Sequence, residues 1–171
     1  MRMFTGGALL FAALSALPAR AQSQRPWAVT LEGAVSDLHG KTAVDGPGGA
    51  LRLSRRLMGL DWMRGEVALT GGSADENRGF GTVEAGVEFR WCSACRITPF
   101  IGGGGGWLTE SHWDGGLLRA NVGVEARVSE RLSARLMAQA GTHDGVRGPN
   151  LATLGLTWHF GKPSGGPADR Q

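Results

Sequence analysis

The chain has 171 residues, with 18 Lys plus Arg against 15 Asp plus Glu, 29 Gly, six Trp and no Tyr. That length suits one domain, and the absence of any Lys/Arg block argues against nucleic acid as a partner. Abundant Gly with few long apolar runs excludes a helical membrane protein and favours strands and turns.

The first 21 residues read as a secretory signal. Arg2 supplies a positive start, Ala8 to Leu17 a short apolar stretch, and Ala19-Arg20-Ala21 a small-x-small cleavage site, leaving Gln22 as the first mature residue. Loss of Arg2 and Arg20 leaves 16 basic against 15 acidic residues, a balance of +1.

From Trp27 onward the apolar period is two, as in strands with one greasy and one polar face. The first predicted strand, about Trp27 to Val35, sets Trp27, Val29 and Leu31 against Thr30 and Glu32. A long polar connection, Asp37 to Gly48, follows. The second, about Gly49 to Leu57, sets Leu51 and Leu53 against Arg52, Ser54 and Arg56, with a short turn Met58 to Asp61. The third, about Trp62 to Thr70, sets Val67 and Leu69 against Arg64 and Glu66; a polar loop Gly71 to Gly79 follows. The fourth, Phe80 to Trp91, sets Val83, Ala85, Val87 and Phe89 against Thr82, Glu84, Glu88 and Arg90, and ends in the turn Cys92 to Cys95.

The fifth strand, about Ile97 to Leu108, contains Gly102 to Gly106, which carry no side chains to assign a face. A loop Thr109 to Gly116 leads to the sixth, Leu117 to Val128, where Leu118, Val122 and Val124 oppose Arg119, Asn121, Glu125 and Arg127. After the turn Ser129 to Arg131, the seventh, Leu132 to Gly141, sets Leu136 and Ala138 against Arg135 and Gln139. A loop Thr142 to Asn150 precedes the last strand, Thr153 to Phe160, with Leu154, Leu156, Trp158 and Phe160 on one face and Thr157 and His159 on the other. The tail Gly161 to Gln171, rich in Gly and Pro, is expected to be disordered.

Eight strands, each long enough to cross a bilayer when tilted, with connections alternating long and short, predict an all-β, eight-stranded antiparallel up-and-down transmembrane barrel over 22–160. Its lumen is expected to be polar and filled by side chains. A soluble, lipocalin-like periplasmic barrel would show the same alternation with the apolar face inward. Two features favour the membrane. The polar faces carry a nearly balanced set, Glu32, Glu66, Glu84, Glu88 and Glu125 with Arg52, Arg56, Arg64, Arg90, Arg119, Arg127 and Arg135, which can neutralise one another inside a narrow barrel. The Trp residues fall at strand ends: Trp27, Trp62, Trp91 and Trp158 at the periplasmic side, Trp107 and Trp113 at the external side, as an interfacial girdle requires. Arg55 breaks the pattern by falling on the lipid face; either it snorkels to the headgroups or a bulge changes the phase there.

The last strand resembles the terminal strand of bacterial outer-membrane barrels, in which a polar residue, a Gly, and two closing aromatics recur; Thr153, Gly155, Trp158 and Phe160 fill those places. The whole pattern resembles the small outer-membrane barrels typified by the OmpA membrane domain and OmpX. The resemblance implies a monomer of the outer membrane in contact with its lipid and lipopolysaccharide. It also implies recognition of Gly155, Trp158 and Phe160 by the barrel-assembly machinery, and a structural or adhesin-like role with external loops open to an extracellular ligand. No cofactor is implied. A lipid A deacylase-like enzyme and a small pore are the alternatives.

Candidate chemistry is sparse. Cys92 and Cys95, three positions apart in an exported chain, favour a local disulfide. They lack the helix of a redox motif and the further ligands of a zinc site. No His has a Ser two residues away, the spacing used by deacylase barrels, and no nucleophile–base pair can be drawn from the sequence, so the chain is expected not to be an enzyme.

Overall fold

The structure, a computed structural model, describes residues 25–37, 47–75, 78–92, 95–110, 113–143, 146–147 and 150–162. The expected signal segment and nearly all of the tail lie outside the described residues.

The alternating pattern folds as eight long strands: β1 Trp27–Asp37, β2 Pro47–Arg56, β3 Met63–Asp75, β4 Arg78–Arg90, β5 Ile97–Glu110, β6 Trp113–Arg127, β7 Leu132–His143 and, after a two-residue ribbon β8 Val146–Arg147, β9 Asn150–Phe160. Each is antiparallel to its neighbour in sequence, and β9 pairs with β1 over Trp27↔Phe160 to Asp37↔Asn150. The sheet therefore closes on itself, and the antiparallel eight-stranded barrel leaves no unpaired edge.

The faces resolve the choice between a membrane and a soluble barrel. Leu31, Val67, Val83, Val122, Leu136, Leu154 and Leu156 all point outward and are about half or more exposed. Inside, the buried charged side chains are five Glu (Glu32, Glu66, Glu84, Glu88, Glu125) and five Arg (Arg52, Arg64, Arg90, Arg119, Arg135). A barrel turned this way cannot bury its apolar face by itself; the surrounding solvent must do so.

One expectation needs correction, and two open points are settled. The predicted loops Gly71 to Gly79, Thr109 to Gly116 and Thr142 to Asn150 are largely strand. β3 and β4 run on to Asp75 and Arg78, β5 and β6 to Glu110 and Trp113, and β7 to His143. Sequence alternation fades there because Gly and polar residues dominate, yet the ladder continues, since unpaired backbone groups cost more than paired ones. Arg55 is exposed on the outer face with no break in the β1–β2 register, so no bulge intervenes. Its guanidinium lies 4.9 Å from the Trp27 ring centroid. The face of the fifth strand is now defined: Thr98, Phe100 and Leu108 point inward, Ile101 and Trp107 outward.

The turn between β2 and β3 shows local sequence logic. Leu60 N–H donates to Leu57 O at 2.8 Å, and the two residues between them, Met58 (φ 50°) and Gly59 (φ 71°), both have positive φ. That is the backbone of a tight hairpin turn, which Gly meets without cost and Met does not.

Candidate functional site

The lumen is where the sequence places all its unusual chemistry. Period-two alternation aims one Glu or Arg after another at the barrel axis. β1 supplies Glu32, β2 Arg52, β3 Arg64 and Glu66, β4 Glu84, Glu88 and Arg90, β6 Arg119, Asn121 and Glu125, β7 Arg135 and β9 His159. β5 contributes glycines instead, and their missing side chains make room for these long ones: Gly104, with Gly86 of β4, lines a small lumen cavity with Glu84 and Arg119.

Arg135 is the hub. Its Nη2 donates to Glu88 Oε2 at 2.6 Å, its Nε lies 3.4 Å from Glu32 Oε1, and Glu66 Oε2 is 3.8 Å from Nη2. The same guanidinium sits 4.1 Å from the Phe100 ring centroid, and Phe100 is wholly buried. Arg52 bridges Glu66 (2.9 Å) and Glu32 (3.4 Å). Arg90 bridges Glu125 (2.9 Å) and Glu88 (3.4 Å). Towards the loop end, Arg119 Nη1 meets Glu84 at 2.6 Å and donates to Gln139 Oε1 at 2.7 Å, while Thr82 Oγ1 donates to Glu84 at 2.5 Å. Arg64 is buried among Arg90, Glu125, Glu88 and Arg135. One connected set of ion pairs thus runs from β9 through Glu125, Arg90, Glu88 and Arg135 to Arg52. Equal numbers of buried Glu and Arg make it neutral, which burial demands.

Two of the predicted lumen residues stand at its terminal end. Arg56 lies at the barrel mouth, paired with Asp61 of the β2–β3 turn. Arg127 is half-buried at the end of β6. Both are last-turn positions, where alternation still aims inward but the barrel has ended.

Across its loop end the lumen changes character. Phe80, Leu108 and Leu117 form a buried apolar cluster, with Leu151 also buried nearby on β9. Below it, the cavity beside Arg119 and Glu84 measures about 10 Å³, room for about one water. The interior is packed rather than open.

His159, Ser133 and Glu125 form a constellation that sequence spacing did not reveal. Ser133 Oγ and His159 Nε2 are 2.9 Å apart, and Glu125 Oε1 is 3.1 Å from the same nitrogen. They meet because Ser133 and His159 lie on paired strands β7 and β9, 26 positions apart, so only the register could find them. In a nucleophile–base–acid relay the acid holds one ring nitrogen and the hydroxyl the other. Here both oxygens converge on Nε2, which suits an N–H donating to Glu125, and Ser133 has no exposure at all. The arrangement anchors β9 to β7 and lacks the geometry of an activated nucleophile.

The remaining predicted positions are placed as follows. Cys92 and Cys95 form a disulfide. Gly155 faces inward; a Cβ there would stand 2.5 Å from Leu31 O and 2.7 Å from Glu32 Cγ, so this Gly lets Glu32 reach the hub. Trp158 and Phe160 face outward, Phe160 stacked on Trp27 at 6.4 Å between ring centroids, and Trp62 stacks on Phe89 at 6.0 Å. These rings, with Trp91, gather outside the end of the barrel that holds the termini; Trp107 lies at the opposite end. The side chain of Trp113 lies outside the described residues. Among the described residues no group of His, Cys, Asp and Glu is placed to hold a metal.

A closed barrel of eight antiparallel strands, apolar outside, charged inside and ringed by aromatics, has the architecture of the small outer-membrane barrels. Solved structures bear this out at the level of fold. The chain is similar to Neisserial surface protein A (NspA), with a TM-score of 0.65 at 12% identity over 78% of this chain and 97% of that one. It is similar to the N-terminal β-barrel domain of OprF from Pseudomonas aeruginosa (TM-score 0.60, 14% identity, 81% and 100% covered). It is also similar to the outer-membrane enzyme PagL (0.50, 14%, 78% and 99%). No family model matches the chain, and no sequence relative does either.

Proposed function

We propose that the chain is an integral barrel of the bacterial outer membrane that acts as a structural or surface-interaction protein. Its termini face the periplasm and its loop end faces outward. The observation that carries this reading is the orientation of the faces: Leu31, Val83, Val122 and Leu154 look outward while ten charged side chains are buried inside. Only lipid makes such an exterior favourable, because the apolar band and its aromatic rim match a hydrocarbon layer flanked by headgroups. In the living cell the outer wall meets lipid and lipopolysaccharide, the assembly machinery reads Gly155, Trp158 and Phe160 on β9, and the loop end is free for an extracellular ligand. The barrel works as a monomer without a cofactor.

Fold alone does not choose the role, since the similar structures include a surface protein and an enzyme. A non-enzymatic role is favoured because Ser133, the hydroxyl beside His159, is fully buried and shares Nε2 with Glu125. A pore is disfavoured by the buried charged network that fills the lumen and by the apolar cluster of Phe80, Leu108 and Leu117 on the wall at its loop end. The test is cell fractionation followed by gel electrophoresis with and without boiling. A membrane-fraction protein whose mobility shifts on boiling is expected; recovery in the soluble periplasmic fraction would overturn the reading. Planar-bilayer recordings should show no sustained large conductance.

A further inference from the structure

The charges of this barrel are sorted by height. The lumen is neutral. The mouth that holds the termini is strongly basic, and backbone and side-chain hydrogen bonds trace its cations strand by strand. Arg127 N–H donates to Arg96 O at 2.7 Å, which sets the start of β5 beside the end of β6. His159 N–H donates to Arg131 O at 2.7 Å, setting Arg131 beside β9. Arg25 Nη1 donates to Gly161 O at 2.8 Å, next to Lys162. Arg56 N–H donates to Pro26 O at 2.9 Å, which brings Arg55 and Arg56 against the start of β1. Among the described residues, seven cations therefore follow one another around β5, β6, β7, β9, β1 and β2, against two carboxylates at the same level, Asp61 and Glu130.

Arg55, Arg96, Arg131 and Lys162 are exposed. Arg55 fixes the level of the arc, because it projects from the lipid-facing side of β2 and lies over Trp27, an indole of the aromatic rim. Rim indoles mark the headgroup layer, so the cations beside them stand where lipid phosphates stand. Long basic side chains at that depth lay their stems on apolar surface and extend the charge to the phosphate. The β3–β4 side of the same mouth carries Trp62, Phe89 and Trp91, and its arginines, Arg64 and Arg90, are buried in the lumen.

We propose that this basic arc binds anionic phospholipid headgroups, the phosphates of phosphatidylglycerol-type lipids, in the leaflet that surrounds the terminal end of the barrel. The proposal rests on the membrane reading above. The arc gives the barrel a charged belt on one side only and selects acidic lipids as its boundary on strands β5 to β2. Each basic side chain at an anionic surface strengthens association about fivefold.

The experiment uses the full mature chain refolded into phosphatidylcholine vesicles doped with brominated phosphatidylglycerol or with brominated phosphatidylcholine, with Trp fluorescence as the readout. Four of the six Trp lie at the basic mouth, so quenching reports which lipid sits there. Severalfold stronger quenching by the brominated anionic lipid is expected, with the preference fading in high salt. The variant R55Q/R96Q/R131Q/K162Q changes only exposed side chains; it should keep its boiling-dependent mobility shift and quench equally with both lipids. Equal quenching by the two lipids in the unaltered chain would overturn the proposal, as would a preference that survives in the variant. Loss of the preference on adding inorganic phosphate would also overturn it, because the arc would then be a site for free phosphate. Absence of quenching by either lipid would instead remove the membrane reading on which the arc depends.

Discussion

Replacement of Arg135 by Met tests whether the lumen is a connected ion-pair network. Met has similar length, keeps contact with Phe100 and removes one charge from a neutral set. Glu88 loses its 2.6 Å partner and retains Arg90 at 3.4 Å; Glu32 and Glu66 retain Arg52. Deleting one partner of a buried pair costs about 3–5 kcal/mol. The surviving partners place R135M at the lower end, about 3 kcal/mol, including loss of the cation–π contact with Phe100. The double variant R135M/E88Q restores charge balance and should recover at least ~1 kcal/mol of that loss. Urea unfolding of the refolded barrel in lipid vesicles, followed by Trp fluorescence, measures both. A cost for R135M within about 0.5 kcal/mol of zero, the size of an exposed pair, would show that water screens the lumen and that the hub does not exist. So would a double variant no more stable than the single one.

Gly155→Ala should destabilise the barrel by about 1–3 kcal/mol, since its Cβ would meet Leu31 O and Glu32 Cγ; the same urea titration reads it, and an unchanged midpoint would contradict the close approach. Val122→Arg, at an exposed position near the middle of β6, should cost about 2–4 kcal/mol in a bilayer; no loss would mean that this face is not against hydrocarbon. Met58→Asn should stabilise by about 1 kcal/mol by relieving a positive φ at an 89% exposed side chain; a lowered unfolding midpoint would refute that. Cys92→Ser with Cys95→Ser should cost about 2 kcal/mol, the loop-closure value for so short a ring, and leave the mobility shift intact.

Strand positions and faces were legible because each strand repeats one decision every second residue: Val83, Ala85, Val87 and Phe89 cannot share a face with Glu84 and Glu88. The fifth strand was illegible for the complementary reason. Gly102 to Gly106 carry no side chains, and only its neighbours β4 and β6 fix its phase. Strand ends were misread where polar residues and Gly continue a ladder outside any apolar environment, as at Ser73 and Asp75. The Ser133–His159–Glu125 cluster was out of reach because it depends on pairing between β7 and β9. Alternation aimed Arg56 and Arg127 inward but could not show that they stand at the mouth, where Arg56 pairs with Asp61.

The buried charges do more for uniqueness than for stability. Buried ion pairs repay little beyond their own desolvation, so five apolar pairs of similar shape would leave the barrel about as stable. What the charges exclude is the wrong phase. A one-residue slip turns every side chain to the other face, and for β4 that would send Glu84, Glu88 and Arg90 into lipid together. An Arg at the midplane costs about 2–4 kcal/mol and a Glu less, so a slipped strand is disfavoured by several kcal/mol before any lost pairing is added. The glycine-rich β5, which carries no lumen charge, lacks this guard and depends on Phe100 and Thr98 instead. A barrel in which Glu84, Glu88, Arg90 and their partners are replaced by Gln and Met should therefore retain its unfolding midpoint while losing a single set of backbone resonances. A neutralised lumen that still gave one sharp set would show that strand phase is set by the outer apolar band alone.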